Sequence, residues 1–275
     1  MNSICKALVL TPLITLCTTT MAQGIAADKD QYSLFNPTPR ELLRPMSADR
    51  PDFTESPHTV DAGAFQLEMS FADYGKDGIA KSWSYAQANL KIGLLNDVDL
   101  QFVFTPYALF DNGTESLGGF GDTQVRLKIN LWGNDEGDTA FAFMPFIQLP
   151  TATDGLGSGR VEGGLIFPFG MSLAEGIGLG LMVETDFVYN EVDDGYDAEF
   201  IFTGALGFDV TERVGLYLEG ISISSSDSEI NYRGILGIGA TYVLRKDLIL
   251  DVGINFGLTG EVDDVNIFTG LTVRF

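Results

Sequence analysis

Cysteine and histidine are almost missing from this chain of 275 residues, which carries two cysteines and one histidine. Cys5 and Cys17 both lie at the extreme N-terminus. A chain that loses this stretch has no disulfide, no thiolate ligand and no cysteine nucleophile. His58 alone cannot build a histidine metal centre, and no metal site or cofactor is expected. Basic residues are scarce too, 16 against 38 acidic ones, for a net charge of −22. Nucleic-acid binding by phosphate neutralisation is thereby excluded. Long hydrophobic runs are also lacking. The longest, from Ala7 to Cys17, falls well short of the roughly 20 residues a membrane-spanning helix needs. Yet 45% of the residues are hydrophobic, too many for a disordered acidic protein.

That one run, preceded by Lys6 and followed by the small-residue site Thr20-Met21-Ala22, reads as a secretory signal peptide over residues 1–22. A lipid-modified Cys17 would need a small residue before it, and Leu16 is large. Cleavage removes Lys6 and no acid, so the exported chain is one charge more negative.

Residues 23–62 form a polar leader containing Pro37, Pro39, Pro45, Pro51 and Pro57, half of the ten prolines. It shows little periodicity. Two readings stay open for it: a disordered periplasmic arm, or a segment folded into the periplasmic mouth of the structure formed by the remaining chain.

From Gly63 the pattern becomes alternation. Phe65, Leu67, Met69 and Phe71 alternate with polar residues, as do Val98, Leu100, Phe102 and Phe104, and Leu248, Leu250, Val252 and Ile254. Period two marks strands with one apolar and one polar face. Turn signals divide residues 63–275 into about twelve strands: 63–74, 82–95, 97–108, 121–132, 139–149, 161–170, 177–189, 198–208, 213–223, 230–244, 248–258 and 265–275. Most exceed the five or six residues of an ordinary soluble strand and suit the 9–11 residues of a tilted membrane strand. The fold expected is all-β, a transmembrane antiparallel β-barrel of outer-membrane type.

Export, strand length and an even strand number place the apolar face outward. The alternating end Leu271, Val273, Phe275 resembles the C-terminal signature that outer-membrane assembly machinery reads, with Phe275 as the signal. Tyr74, Trp83, Tyr85, Tyr107, Tyr189, Tyr196 and Tyr232 fall near one set of strand ends, and Trp132 and Tyr242 near the other. This suits aromatic girdles, although tyrosine favours strands generally. The protein is expected in the outer membrane of a Gram-negative bacterium, with periplasmic turns near 96, 134–138, 171–176, 209–212 and 245–247. The outer loops carry Asp193, Asp194, Asp197, Asp227, Glu229, Glu261, Asp263 and Asp264. They form a solvated repulsive surface, or bridge to lipopolysaccharide through divalent cations.

The segment Asp49-Arg50-Pro51-Asp52-Phe53-Thr54-Glu55-Ser56-Pro57, followed by Gly63, Gln66 and Glu68, resembles the opening of a family of outer-membrane transporters named for the meta pathway of phenol degradation. Its pattern positions are Asp49, Arg50, Pro51, Asp52, Thr54, Ser56 and Pro57. Gly119-Phe120-Gly121-Asp122 looks like a second family element. The resemblance covers roughly residues 45–275 and implies a β-barrel with a transport role, not phenol as substrate.

By parity the inner face carries Glu68, Lys91, Asp99, Arg126, Lys128, Glu162, Glu184, Asp186, Glu199, Glu219, Arg233, Asp251 and Arg274. So many charges require a wet lumen or pairing across it. Arg126 and Lys128 face a cluster of Glu184, Asp186, Glu199 and Glu219, an arrangement that sets a transverse field for polar solutes. Arg50 is expected to meet that acidic wall. The function this supports is passive passage of small solutes, aromatic or other organic compounds among them. The partners are the solute, outer-membrane lipids with lipopolysaccharide, and the assembly machinery. Other readings are a non-conducting structural or adhesive barrel, and a barrel hydrolase. The hydrolase is weakened because His58 lies outside the strands, leaving only Glu184 and Asp186 on one strand face.

Overall fold

The computed structural model describes residues 29–227 and 229–275. The signal peptide lies outside the described residues. Fifteen β-segments come after the leader: β1 (Phe65–Asp77), β2 (Ala80–Tyr85), β3 (Ala88–Leu95), β4 (Val98–Phe104), β5 (Tyr107–Asp111), β6 (Ser116–Gly119), β7 (Thr123–Trp132), β8 (Thr139–Leu149), β9 (Glu162–Ala174), β10 (Ile177–Asn190), β11 (Gly195–Thr211), β12 (Val214–Ser225), β13 (Arg233–Arg245), β14 (Leu248–Gly257) and β15 (Val265–Arg274). Three pairs are halves of interrupted strands: β2 with β3, β4 with β5, and β6 with β7. The result is twelve antiparallel strands, each beside its sequence neighbour, closed by pairing of β15 with β1. Closure removes both sheet edges, which the interior of a bilayer would not tolerate. Its seam is tight at the chain end, where the backbones of Phe65 and Phe275 exchange hydrogen bonds of 3.1 and 2.9 Å.

The first two interruptions correct the continuous strands expected over 82–95 and 97–108, while the third separates the strand expected over 121–132 from a short added segment, β6. All three are neighbours in the sheet. A bulge in β1 between Ser70 and Ala72 lies beside Ala86, whose φ of 55° breaks the extended run between β2 and β3. The next gap holds Pro106, which has no N–H to give a ladder, and the next Phe120, Gly121 and Asp122. Two hairpins at the opposite rim from the short turns are also tighter than expected. The gap left between the strands expected over 63–74 and 82–95 shrinks to Gly78 and Ile79, and the hairpin after the strand expected over 97–108 turns within residues 112–115.

Side chains alternate as an inside-out barrel requires. Outward positions such as Leu181, Val183, Phe187, Phe200, Phe202, Leu216, Leu218, Leu236 and Ile238 are exposed. Inward ones, including Glu68, Lys91, Asp99, Lys128 and Glu219, are buried. Aromatic side chains meet across strands at both rims, as Tyr74 with Trp83 and Tyr189 with Tyr196 at the longer-loop rim and Trp132 with Phe141 at the other.

One stretch of inner wall departs from the polar face expected. Met144, Ile166, Met182, Ile201 and Ile221, on five successive strands from β8 to β12, form a buried apolar cluster with Phe146, Ile223 and Ile235 against it. Here both strand faces are apolar, so alternation alone hides which one points inward.

Candidate functional site

The leader lies against the inward-facing side chains. Near the short-turn rim Leu34 donates to the Leu94 carbonyl at 2.8 Å. Arg44 donates to the carbonyls of Thr59 and Asn96 at 3.1 and 3.0 Å, and Arg274 donates to the Arg44 carbonyl at 2.8 Å. Room for this approach comes from glycine: a Cβ on Gly93 would stand 2.0 Å from the Asp61 carbonyl oxygen.

The family-like motif supplies the innermost contacts. The Asp49 carboxylate accepts from Nζ of Lys128 at 3.0 and 3.1 Å and from Nζ of Lys91. Lys91 is also paired with Glu68, which accepts from the backbone N–H groups of Asp49 and Arg50 at 3.1 Å. Arg50 donates to both oxygens of Asp251, at 3.1 and 2.6 Å, and to Ser70 Oγ at 2.8 Å. Glu219 accepts from the N–H groups of Phe53 and Thr54 at 2.9 and 2.8 Å, and from the Thr54 hydroxyl at 2.6 Å. Arg126 donates to Glu55 at 2.6 Å. Ser56 donates its N–H to Asp49 at 2.8 Å, and the Pro57 carbonyl accepts from Asn130 at 2.9 Å. Asp99 accepts from the Val60 N–H at 2.9 Å. Stacked backbone donors and paired cations let these carboxylates sit in a closed interior.

The leader carboxyls divide by their surroundings. Burial works to raise Asp49, but Lys128 and Lys91 outweigh it and hold it well below the usual carboxylate range. Burial and then Asp49 push Glu55 up to about 7, against the pull of Lys128 and Arg126. Burial and then Glu219 push Asp52 well above its ordinary value.

The thirteen charged residues assigned to the inner face are all buried or half-buried, in three arrangements. Glu68, Lys91, Asp99, Arg126, Lys128, Glu219, Asp251 and Arg274 hold the leader. Farther toward the longer-loop rim, Glu199 pairs with Arg233 at 2.6 Å, and Glu162 accepts from Gln148 at 2.8 Å. Glu184 and Asp186 share the inner face of β10, and one Asp186 oxygen is buried without a hydrogen-bond partner.

Two expectations change. Arg50 does meet an acid, but it is Asp251 on β14, not the Glu184–Glu219 cluster. The transverse field between opposed walls is also reduced, because Glu55 and Asp49 of the leader neutralise Arg126 and Lys128. The sequence reading missed Tyr217 and the apolar cluster from Met144 to Ile221. Their inward parity was available, but their residue types were not polar enough to draw attention.

A cavity of about 630 Å³ remains between the leader and the wall of β8–β13. Arg50, Asp52, Thr54 and Pro57 line it on one side, and Gly178, Gly180, Ala205, Gly207 and Tyr217 on the other. Gly137, Asp138 and Gly176 of the short turns also line it, so it opens at that rim. Among the described residues no cluster of His, Cys, Asp and Glu has the form of a metal site.

No curated protein matches the chain. The fold is similar to that of an outer-membrane channel from Pseudomonas putida F1, with a TM-score of 0.61 and 12% identity over 83% of this chain and all of that one. It is also similar to the NanC porin, with a TM-score of 0.53 and 8% identity over 77% of this chain and 98% of the porin. A third likeness is to the KdgM porin in complex with disordered oligogalacturonate, with a TM-score of 0.50 and 8% identity over 77% and 99% of the two chains. At such identities the likeness is one of fold. The sequence match is more specific and begins one residue before the segment that grips the lumen: over residues 48–275 the chain belongs to the family described as "Putative MetA-pathway of phenol degradation".

Proposed function

We propose that this protein is a passive outer-membrane conduit for small solutes, with the leader as a partial plug at the periplasmic end. The observation that carries this reading is the cavity of about 630 Å³ left between leader and wall, open at the short-turn rim. Twelve strands give a lumen between the side-chain-filled interior of the smallest barrels and the open pore of the largest. The leader narrows it to one side. The cavity sets Gly178, Gly180, Ala205 and the Tyr217 ring beside Asp52 and Thr54, and this supports aromatic or other organic solutes, since a mixed apolar and polar lining suits them better than a uniformly charged one. The short turns face the periplasm and the acidic loops face lipopolysaccharide, with Phe275 read by the assembly machinery.

Single-channel recording of the purified protein in planar bilayers tests the conduit. Discrete conductance steps are expected. Their absence, with the barrel intact by heat-modifiable gel mobility, favours a non-conducting structural barrel, a reading supported by the number of ion pairs that anchor the leader.

A further inference from the structure

The cations around the leader are all taken. Lys91 and Lys128 hold Asp49, Arg126 holds Glu55 and Arg50 holds Asp251. Of the acids facing them, Glu219 is satisfied by the three leader donors. Asp52 is left over. It has no ion pair among the described residues, and its carboxyl accepts only from its own backbone N–H. It lines the crevice, as do Glu55, Asp138 and Asp209. The bases of that lining are Arg50, already held, and His58.

Tyr217 supplies a second, independent sign of a ligand. Its side chain lies across the inner wall because Gly239 and Gly253 leave the space: a Cβ on Gly239 would stand 2.4 Å from the ring, and one on Gly253 would stand 2.7 Å from the hydroxyl. Tyr217 is 9% exposed and lines the same cavity as Asp52, yet its hydroxyl has no hydrogen-bond partner. Buried hydroxyls are ordinarily bonded. An unpartnered hydroxyl beside an uncompensated carboxyl offers two oxygen ligands to a positive group, and none of the crevice's cations is free to hold an anion.

We propose that this crevice is a cation-selective filter in which Asp52 determines selectivity, and that the face formed by Asp52 and Tyr217 takes a monovalent cationic group of ammonium size. This rests on the conduit reading and deepens it by naming the charge class that passes. A narrow passage with low-dielectric walls focuses the field of one unbalanced carboxylate. The group is either a free ion or the head of a small organic amine, and the two sources are separable.

The test uses the full mature chain in planar bilayers under a KCl gradient at mildly alkaline pH. The reversal potential is expected on the cation side, and Asp52→Asn should reduce the cation-to-anion permeability ratio about twofold or more. Asp52 makes no side-chain contact whose loss would unfold the protein, and heat-modifiable mobility checks this. In parallel, ethylamine is titrated calorimetrically into detergent-solubilised protein with and without excess KCl. Heat that Asp52→Asn abolishes and Tyr217→Phe weakens identifies a site for amine head groups. A selectivity change without such heat assigns the filter to free ions. A potential at zero or on the anion side, or one unchanged in Asp52→Asn, overturns the filter. A protein that neither conducts nor binds ethylamine overturns it as well. Silence in the bilayer with Asp52-dependent ethylamine heat overturns the conduit and leaves the cation site standing.

Discussion

Lys128 in the middle of the barrel wall and Asp49 in the leader form a buried ion pair, with Nζ 3.0 Å from Oδ2. The lysine side chain is wholly inaccessible. Removing one partner of a buried pair costs about 3–5 kcal/mol, because the other charge stays behind without compensation. Asp49→Asn leaves both Lys128 and Lys91 short of a counter-charge and should loosen the leader while the β-ladder holds. Trypsin should then cut after the exposed Arg40 markedly faster than in the parent protein, with heat-modifiable mobility unchanged. Equal cleavage rates would show that this pair does not retain the leader.

Deletion of residues 23–60 removes the plug entirely. Glu68, Glu219 and Asp251 then face water in an unobstructed lumen. Single-channel conductance should rise severalfold, with the same strand content by circular dichroism. Unchanged conductance would mean that the leader does not lie in the path.

Glu55 gives the leader a pH dependence. Its carboxyl is raised by burial and by Asp49 to about 7, so docking favours the protonated form. Between the ordinary glutamate value and about 7 the docked leader binds more protons than the free one. Docking is therefore tightest at the acid end of that window and weakens as pH rises through it. Asp49, held low by its lysines, works in the opposite sense but titrates only in strong acid. Asp52, raised by burial and then Glu219, works in the same sense as Glu55, so conductance should climb from mildly acidic to neutral pH and Glu55→Gln should make that climb shallower. A profile that falls with pH, or one that Glu55→Gln does not alter, contradicts the assignment.

The barrel was legible in the sequence because alternation over long segments is a one-dimensional signal of a lipid-facing surface. Leu248 to Phe256 reads as β14 without reference to anything else. The leader was legible only in part. Its prolines mark irregular backbone, but that Asp49 would find Lys91 and Lys128 depends on contacts across 42 and 79 residues, which no local pattern carries. The apolar inner wall escaped for a different reason. At Gly164-Leu165-Ile166-Phe167 and Ile221-Ser222-Ile223 the inward positions are as apolar as, or more apolar than, the outward ones, so binary contrast disappears. The breaks at Ala86 and Pro106 are single-residue events inside otherwise convincing strands.

Two glycines on opposite sides of the leader predict conductance changes of opposite sign. Gly207 lies on the inner face of β11 beside the crevice, and a Cβ built there meets only the Gly178 carbonyl oxygen, at 3.9 Å. A tryptophan at this position enters without backbone conflict and occupies a large part of the open space, so Gly207→Trp should cut single-channel conductance by half or more. Gly93 is the reverse case. There a Cβ would collide with the Asp61 carbonyl, and the neighbouring hydrogen bonds from the Gly63 N–H to Gly93 and from the Gly93 N–H to Ala64 leave no slack. Gly93→Ala must push the leader off the wall, and conductance should rise toward that of the deletion. Heat-modifiable mobility should be retained in both, since neither replacement removes a ladder bond between strands. If both variants conducted less than the parent, the leader would be a support for the barrel and not the element that narrows it.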